Sequence, residues 1–363
     1  MSTTLLLSPL KIRQKYLCSS ITFINGVIFK LRSPNKCCRS AFIHLLSNNK
    51  KFIRSWLGIL KMKIPPITSV VISAVLSTSV SAQVTQLSSS QCQDMTVKKV
   101  MSTKAPVQCN RLRNVTFKHY NFEGKTATGK VVVLDAVAPY VDQIFSELYQ
   151  QGFPIAQAKP IESYSGDDHK SMDANNTSAF NYRPITGKSS LSLHAYGVAI
   201  DINPLQNPFV EFTSWGTATF KPLKGHEYSN RMIQRLGKED RKGFAEEVIS
   251  TFTNNGFIYW GGYWDTPIDF QHFQTSRDMA YLMTAMPTKD ASKFFTNYVN
   301  WVQSCQNNYG SENMNKFKDY SSYLQTELKT TTSLNRLYKA NPNAVMQAIN
   351  KKAQVSESRC FKS

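Results

Sequence analysis

Two imidazoles and a carboxylate in this chain, His194, Asp201 and His272, are of the types that hold a divalent metal. His194 and Asp201 fall in the stretch Ser-Leu-His-Ala-Tyr-Gly-Val-Ala-Ile-Asp-Ile-Asn at residues 192–203, and His272 in Asp-Phe-Gln-His-Phe-Gln at residues 269–274. Three protein ligands with one position left open make a catalytic zinc site. A structural zinc site draws more often on four Cys or Cys/His ligands, and no cysteine lies between Cys109 and Cys305, so it is the weaker reading. A blander reading competes with both: Asp201 caps or pairs locally and His194 is a satisfied core histidine, the commoner fate of either residue alone. The second stretch weighs against it. Asp269, three residues before His272, is placed to reach water at the open position and serve as a general base.

The spacing is not the His-Glu-x-x-His helical pattern, so turns and strands must bring these residues together. Gly197 permits a sharp turn between His194 and Asp201, and residues 198–202 alternate in the manner of a short strand. Residues 256–260 read as a second strand, entered from a helix that stops at Asn254-Asn255-Gly256. Gly261-Gly262 then lets the chain bend and return through Trp264 to Phe273. Val137, Val141, Ile144, Phe145 and Leu148 recur at helical spacing up to Gly152, and Phe244, Val248, Ile249 and Phe252 mark another helix. Phe153, Ile155 and Ile161 suggest short strands. Residues 204–225 form a long connection in which Phe209 and Trp215, with Tyr228 just beyond, either line a substrate groove or pack as core and lid. The cluster Gly166-Asp167-Asp168-His169 offers a second metal site on paper, but a solvated loop is the favoured reading.

The pattern Ser192-x-His194-x-x-Gly197-x-Ala199-x-Asp201, followed by Asp269-x-x-His272-Phe273, resembles the signature of the peptidoglycan zinc peptidases. That family includes D-alanyl-D-alanine carboxypeptidases, vancomycin-resistance D,D-dipeptidases and L-alanyl-D-glutamate endolysins. The likeness extends through residues 175–183 and 203–208 and covers roughly residues 131–282, about one domain. It implies Zn2+ as cofactor, with His194, Asp201 and His272 as its ligands, Asp269 as acid and base, and Arg183 facing the scissile carbonyl. Several relatives carry Glu where this chain has the shorter Asp269. An always-charged guanidinium suits Arg183's role, because negative charge develops on oxygen as an amide is attacked. Ser192, Tyr196 and Trp264 are the expected substrate-facing residues, Ser192 having the alternative of bonding the turn.

The formal charge of +19 is unevenly spread. Residues 1–82 hold 12 of the 43 Lys and Arg and no acid, leaving 31 basic against 24 acidic residues elsewhere. Whole-chain basicity therefore does not argue for nucleic acid as a partner. Within the leader, Met62-Lys63, the apolar and hydroxyl-rich residues 67–80 and then Val80-Ser81-Ala82 have the order of a secretory signal, too short for a comfortable membrane span. This makes residues 1–61 an upstream extension, with an organellar transit peptide as the second reading. Cys92, Cys109, Cys305 and Cys360 follow the leader. Of three possible pairings, Cys92 with Cys109 and Cys305 with Cys360 is favoured, because each brackets a segment outside the catalytic core. Four free thiols in a reducing compartment is the alternative.

The expected organisation is a leader at 1–61, a signal at 62–82, a polar segment at 83–130 whose first part, 83–113, packs loosely and is closed by a disulfide, a catalytic domain at 131–286 and a helical extension at 287–363. The expected fold is α+β, a small antiparallel sheet carrying the zinc ligands and flanked by helices, as in hedgehog and D,D-peptidase folds. The resemblance implies a secreted or periplasmic enzyme of the cell envelope acting on a peptidoglycan stem peptide. Loss of a terminal D-alanine is preferred, with internal L-alanyl-D-glutamate cleavage, an enzyme acting on other peptides, and a non-catalytic zinc-bearing wall-binding module as alternatives. Retention of Asp269 and Arg183 counts against the last.

Overall fold

A computed structural model describes residues 83–362 apart from 215, 352 and 354. The leader with its signal-like segment, and Trp215, lie outside the described residues.

The described chain begins with β1 (Gln83–Gln86) and α1 (Ser89–Val97), whose first turn is capped by Ser88 Oγ accepting from the Gln91 N–H at 3.1 Å. Strands β2 (Leu112–Tyr120) and β3 (Thr126–Leu134) then pair antiparallel, with β1 on the other edge of β2. Val131, Val133 and Leu134 are wholly buried. The amphipathic α2 (Ala138–Gln150), started by Pro139, lays Val141, Ile144, Phe145 and Leu148 into the core, and Phe145 stacks on Phe117 with 3.6 Å between ring centres. Residues 83–113, expected to pack loosely, instead bury Met95, Val100 and Val107, and β3 runs straight across residue 130. Polar composition concealed this, since the few apolar residues of the segment all face inward.

Short elements follow: β4 (Gln157–Ala158), α3 (Asp168–Asp173), β5 (Asn176–Thr177), β6 (Ala199–Asp201), β7 (Phe209–Phe212), β8 (Ala218–Lys221), α4 (Ile249–Asn254), β9 (Tyr259–Trp260), β10 (Ile268–Asp269) and β11 (His272–Gln274). Ile161 opens a 3-10 turn rather than a strand. Gly256 ends the turn after α4 at φ +89°, and a side chain there would meet Phe295 at 2.7 Å. The long connection expected at 204–225 contains the β7–β8 hairpin. The aromatic and β-branched residues of Phe209-Val-Glu-Phe212 are its signal, masked by neighbouring Pro and Thr residues.

Helices α5 (Arg277–Ala285), α6 (Thr288–Tyr309), α7 (Tyr320–Glu327), α8 (Leu334–Ala340), α9 (Pro342–Asn350) and α10 (Glu357–Cys360) complete the described chain. Phe294, Phe295, Tyr298 and Val302 of α6 belong to the same core as α2 and the sheets. Arg111 fastens the N-terminal sheet to these helices. It forms a bidentate pair with the buried Asp135, at 2.6 and 3.0 Å, and donates to the carbonyls of Met283 and Met286. Cys92 bonds to Cys109 and Cys305 to Cys360, the favoured pairing. The fold is thus mixed α+β with small antiparallel sheets and helices at its C-terminal end. Among the described residues, no helix is long and apolar enough to cross a membrane.

Candidate metal centre

β11 lies between β6 and β9, antiparallel to both, and its register sets His272 directly opposite Asp201. Residues opposite each other share a face, so the two side chains meet. The next pair, Phe273 and Ile200, points the other way into the core, where Phe273 stacks on Phe252 at 4.0 Å. His194 arrives from a 3-10 turn, Leu193–Tyr196, which Ser192 caps by accepting the His194 N–H at 3.3 Å. The turn closes at Gly197, φ +68°. A side chain there would come within 2.6 Å of the Leu134 nitrogen, which instead donates to the Gly197 carbonyl. Upstream, Ser178 bridges to Asp201 through reciprocal backbone bonds of 3.0 and 2.9 Å. The stretch leading to Arg183 therefore runs beside the ligand strand.

His194 Nε2, His272 Nδ1 and a carboxylate oxygen of Asp201 all lie within 4.8 Å of one another and are buried. Among the described residues this is the one such group of His, Cys, Asp or Glu. Each imidazole is oriented by a partner on its outer nitrogen. His194 Nδ1–H donates to the Ala179 carbonyl at 2.5 Å, so that Nε2 faces the site, and His272 Nε2–H donates to Gln274 Oε1 at 2.7 Å, so that Nδ1 does. Two oriented imidazoles and one carboxylate fit zinc. His272 Nδ1 bonds Asp201 Oδ1 at 2.8 Å, and His194 Nε2 lies 3.2 Å from Asp201 Oδ2. Burial alone would raise the pKa of Asp201, but the charge of His194 and the hydrogen bonds to both histidines outweigh it and hold the carboxyl well below its ordinary range. Burial would likewise lower that of His272, yet its bond to Asp201 and the charge there lift it to about 9.

Asp269 enters from a different sheet. β7 lies between β10 and β8, and Asp269 pairs with Phe209. The residue as a whole is partly accessible, but its Oδ1 is sealed from solvent and has no hydrogen-bond partner among the described residues. Burial pushes its pKa up to about 6, against the attraction of His272 and with the repulsion of Asp201. Gly261 lets β10 come this close, since a side chain there would meet the Asp269 carbonyl oxygen at 2.5 Å.

These residues share a cleft of about 250 Å3 with Arg183, Ser192 and Trp264. Arg183 Nη2 pairs with Asp168 at 2.8 Å, and its Nε, also buried, has no hydrogen-bond partner among the described residues. The Gly166 to His169 cluster thus supplies an anchor for Arg183 through Asp168, while Asp167 caps α3. The ring centre of Trp264 lies 5.5 Å from that of His272. Phe209 also lines the cleft, whereas Tyr228 packs against Phe244. Tyr196 is turned away from the cleft, its ring buried beside Tyr281 at 5.6 Å, because the 3-10 turn directs His194 and Tyr196 to different sides. Gln274 was without a role in the sequence, although its place two residues after His272 on a strand puts it on the same face.

Residues 186–275 match the family model described as D-alanyl-D-alanine carboxypeptidase. That span holds His194, Asp201, Asp269, His272 and Gln274, and begins just after Arg183. The match supports a peptidase of the D-alanyl-D-alanine carboxypeptidase type. No curated protein and no solved structure matches the chain.

Proposed function

We propose that the protein is an exported zinc metallopeptidase that removes the terminal D-alanine from peptidoglycan stem peptides. The observation that carries this reading is the buried group of His194, Asp201 and His272 with the Asp269 carboxyl in the same cleft. His194, Asp201 and His272 hold the metal; zinc bound there supplies Lewis acidity, bringing the pKa of water toward about 7 and polarising a carbonyl. Asp269 takes a proton from the attacking water and returns it to the departing amine as the C–N bond breaks. Arg183, fixed by Asp168, offers its guanidinium to the charge that develops on the carbonyl oxygen. Ser192 shapes the turn that presents His194.

Removal of a terminal residue is favoured over internal cleavage by the family model matched, and Lys188, Lys221 and Arg277, set among Asp168, Asp201, Glu211 and Asp269 in the cleft lining, are the cations that could meet a terminal carboxylate. Export is supported by the two disulfides, which persist in oxidising compartments. The test is to incubate the zinc-loaded protein with intact pentapeptide muropeptides and identify the products by mass spectrometry. Loss of one alanine is the expected product. Fragments divided between L-alanine and D-glutamate would replace the proposal with an endopeptidase, and intact muropeptide after exposure to folded, zinc-loaded protein would leave a binding module.

A further inference from the structure

The catalytic cleft does not end at Trp264. The same side chain lines a second groove of about 550 Å3, between the aromatic run at residues 259–264 and the segment that follows α6. Such a volume is that of a small-ligand site. We propose that this groove is a second substrate subsite, binding the N-acetylhexosamine sugar to which a wall stem peptide is attached; this rests on the peptidase reading above.

Its chemistry is that of a ligand with apolar faces and polar edges. Tyr263 and Trp264 are 61% and 37% exposed, unusual for aromatics of this size, and Tyr263 is held edge-on to the buried Trp260 at 5.0 Å. Around these rings the groove presents hydroxyls and amides, among them the exposed Ser250, Asn254 and Ser311. A pyranose offers C–H faces to the former and hydroxyl and acetamido groups to the latter.

Charge separates the two halves of the substrate. The catalytic cleft is lined by charges of both signs, Arg183, Lys188, Lys221 and Arg277 with Asp168, Asp201, Glu211 and Asp269, whereas the groove's charged side chains are Glu246, already bound by Arg231 at 2.5 Å, and Lys362. A stem peptide bearing carboxylates and an ammonium belongs in the first, and an uncharged ring in the second. Reach is sufficient, because roughly four extended residues between the sugar and a terminal scissile bond span about 14 Å, and the two spaces meet at one side chain.

The experiment compares the zinc-loaded full chain on two substrates with the same peptide: a disaccharide-pentapeptide and the sugar-free pentapeptide. A kcat/KM roughly tenfold higher on the glycosylated substrate, carried by KM, is expected. Tyr263→Ala should erase that advantage and leave the sugar-free rate unchanged. Equal kcat/KM on the two substrates overturns the subsite, as does a Tyr263→Ala variant that slows both alike, since the groove would then read peptide. If neither substrate is cut, the peptidase reading fails, and titration with the peptide-free disaccharide, followed by tryptophan fluorescence and NMR, decides the subsite alone. Saturable binding lost in Tyr263→Ala upholds it, and no binding overturns it.

Discussion

Asp269 is the residue on which the chemistry turns, and its raised pKa has consequences of opposite sign for activity and stability. As a base it must be ionised, so kcat/KM of the zinc-loaded enzyme should fall along an acid limb of unit slope as Asp269 is protonated. As a buried acid with a folded-state pKa above its unfolded value, it favours folding most when protonated, and that contribution is lost as pH rises through about 6. Asp269→Asn should therefore be inactive, yet make the metal-free protein more stable at pH 8 by about 1–3 kcal/mol. Denaturant titration of both proteins at pH 5 and pH 8 checks this, and a variant less stable at pH 8 would contradict it. Gln274 acts on the metal through His272. Gln274→Ala should weaken zinc about 10–100-fold, because His272 Nε2–H then lacks the acceptor that fixes its tautomer, and competition with a zinc chelator reads the change.

At the scale of elements, Asp269 and the ligands Asp201 and His272 sit on separate three-stranded sheets, and Gly261 governs how closely they approach. Gly261→Ala should push β10 outward and lower kcat by about 100-fold, the cost of an ångström's misplacement, while zinc content stays at the wild-type level. Metal analysis beside a rate assay separates these, and loss of zinc would mean that the two sheets are not independent. Much of this arrangement was legible in the sequence. Gly197 between His194 and Asp201 gave the turn, the alternation at residues 198–202 gave β6, and Asn254 to Gly256 gave the end of α4. The support that β7 gives Asp269 was not legible, because the β7–β10 pairing joins residues some sixty positions apart and leaves no local pattern. Tyr196 was misjudged for a related reason: proximity to His194 in sequence does not fix which side of a 3-10 turn faces the cleft. Asp168's bond to Arg183 likewise depends on tertiary contact alone.

Across the whole molecule, a single core takes in the N-terminal sheet, the metal centre and α6, so the C-terminal helices bear on the stability of the site. The Cys305 to Cys360 bridge closes a loop with a sequence separation of 55. Replacing both cysteines with serine should cost about 4 kcal/mol by the loop-closure argument, seen as a lower denaturation midpoint, whereas an unchanged midpoint would show the segment to be held by packing alone. Composition revealed the uneven charge and the paired cysteines. It could not reveal that residues 83–113 join the core, because burial there depends on a few apolar side chains set among polar ones.

The most direct test of a metal-dependent peptidase built on this site is to titrate the chelated protein with zinc while following alanine release from a pentapeptide, in the wild type and in Asp269→Asn. Activity in the wild type should rise in proportion to zinc up to one ion per chain, and Asp269→Asn should take up the same zinc and release no alanine. Full activity in chelator, or a zinc-loaded Asp269→Asn as fast as the wild type, would contradict the assignment.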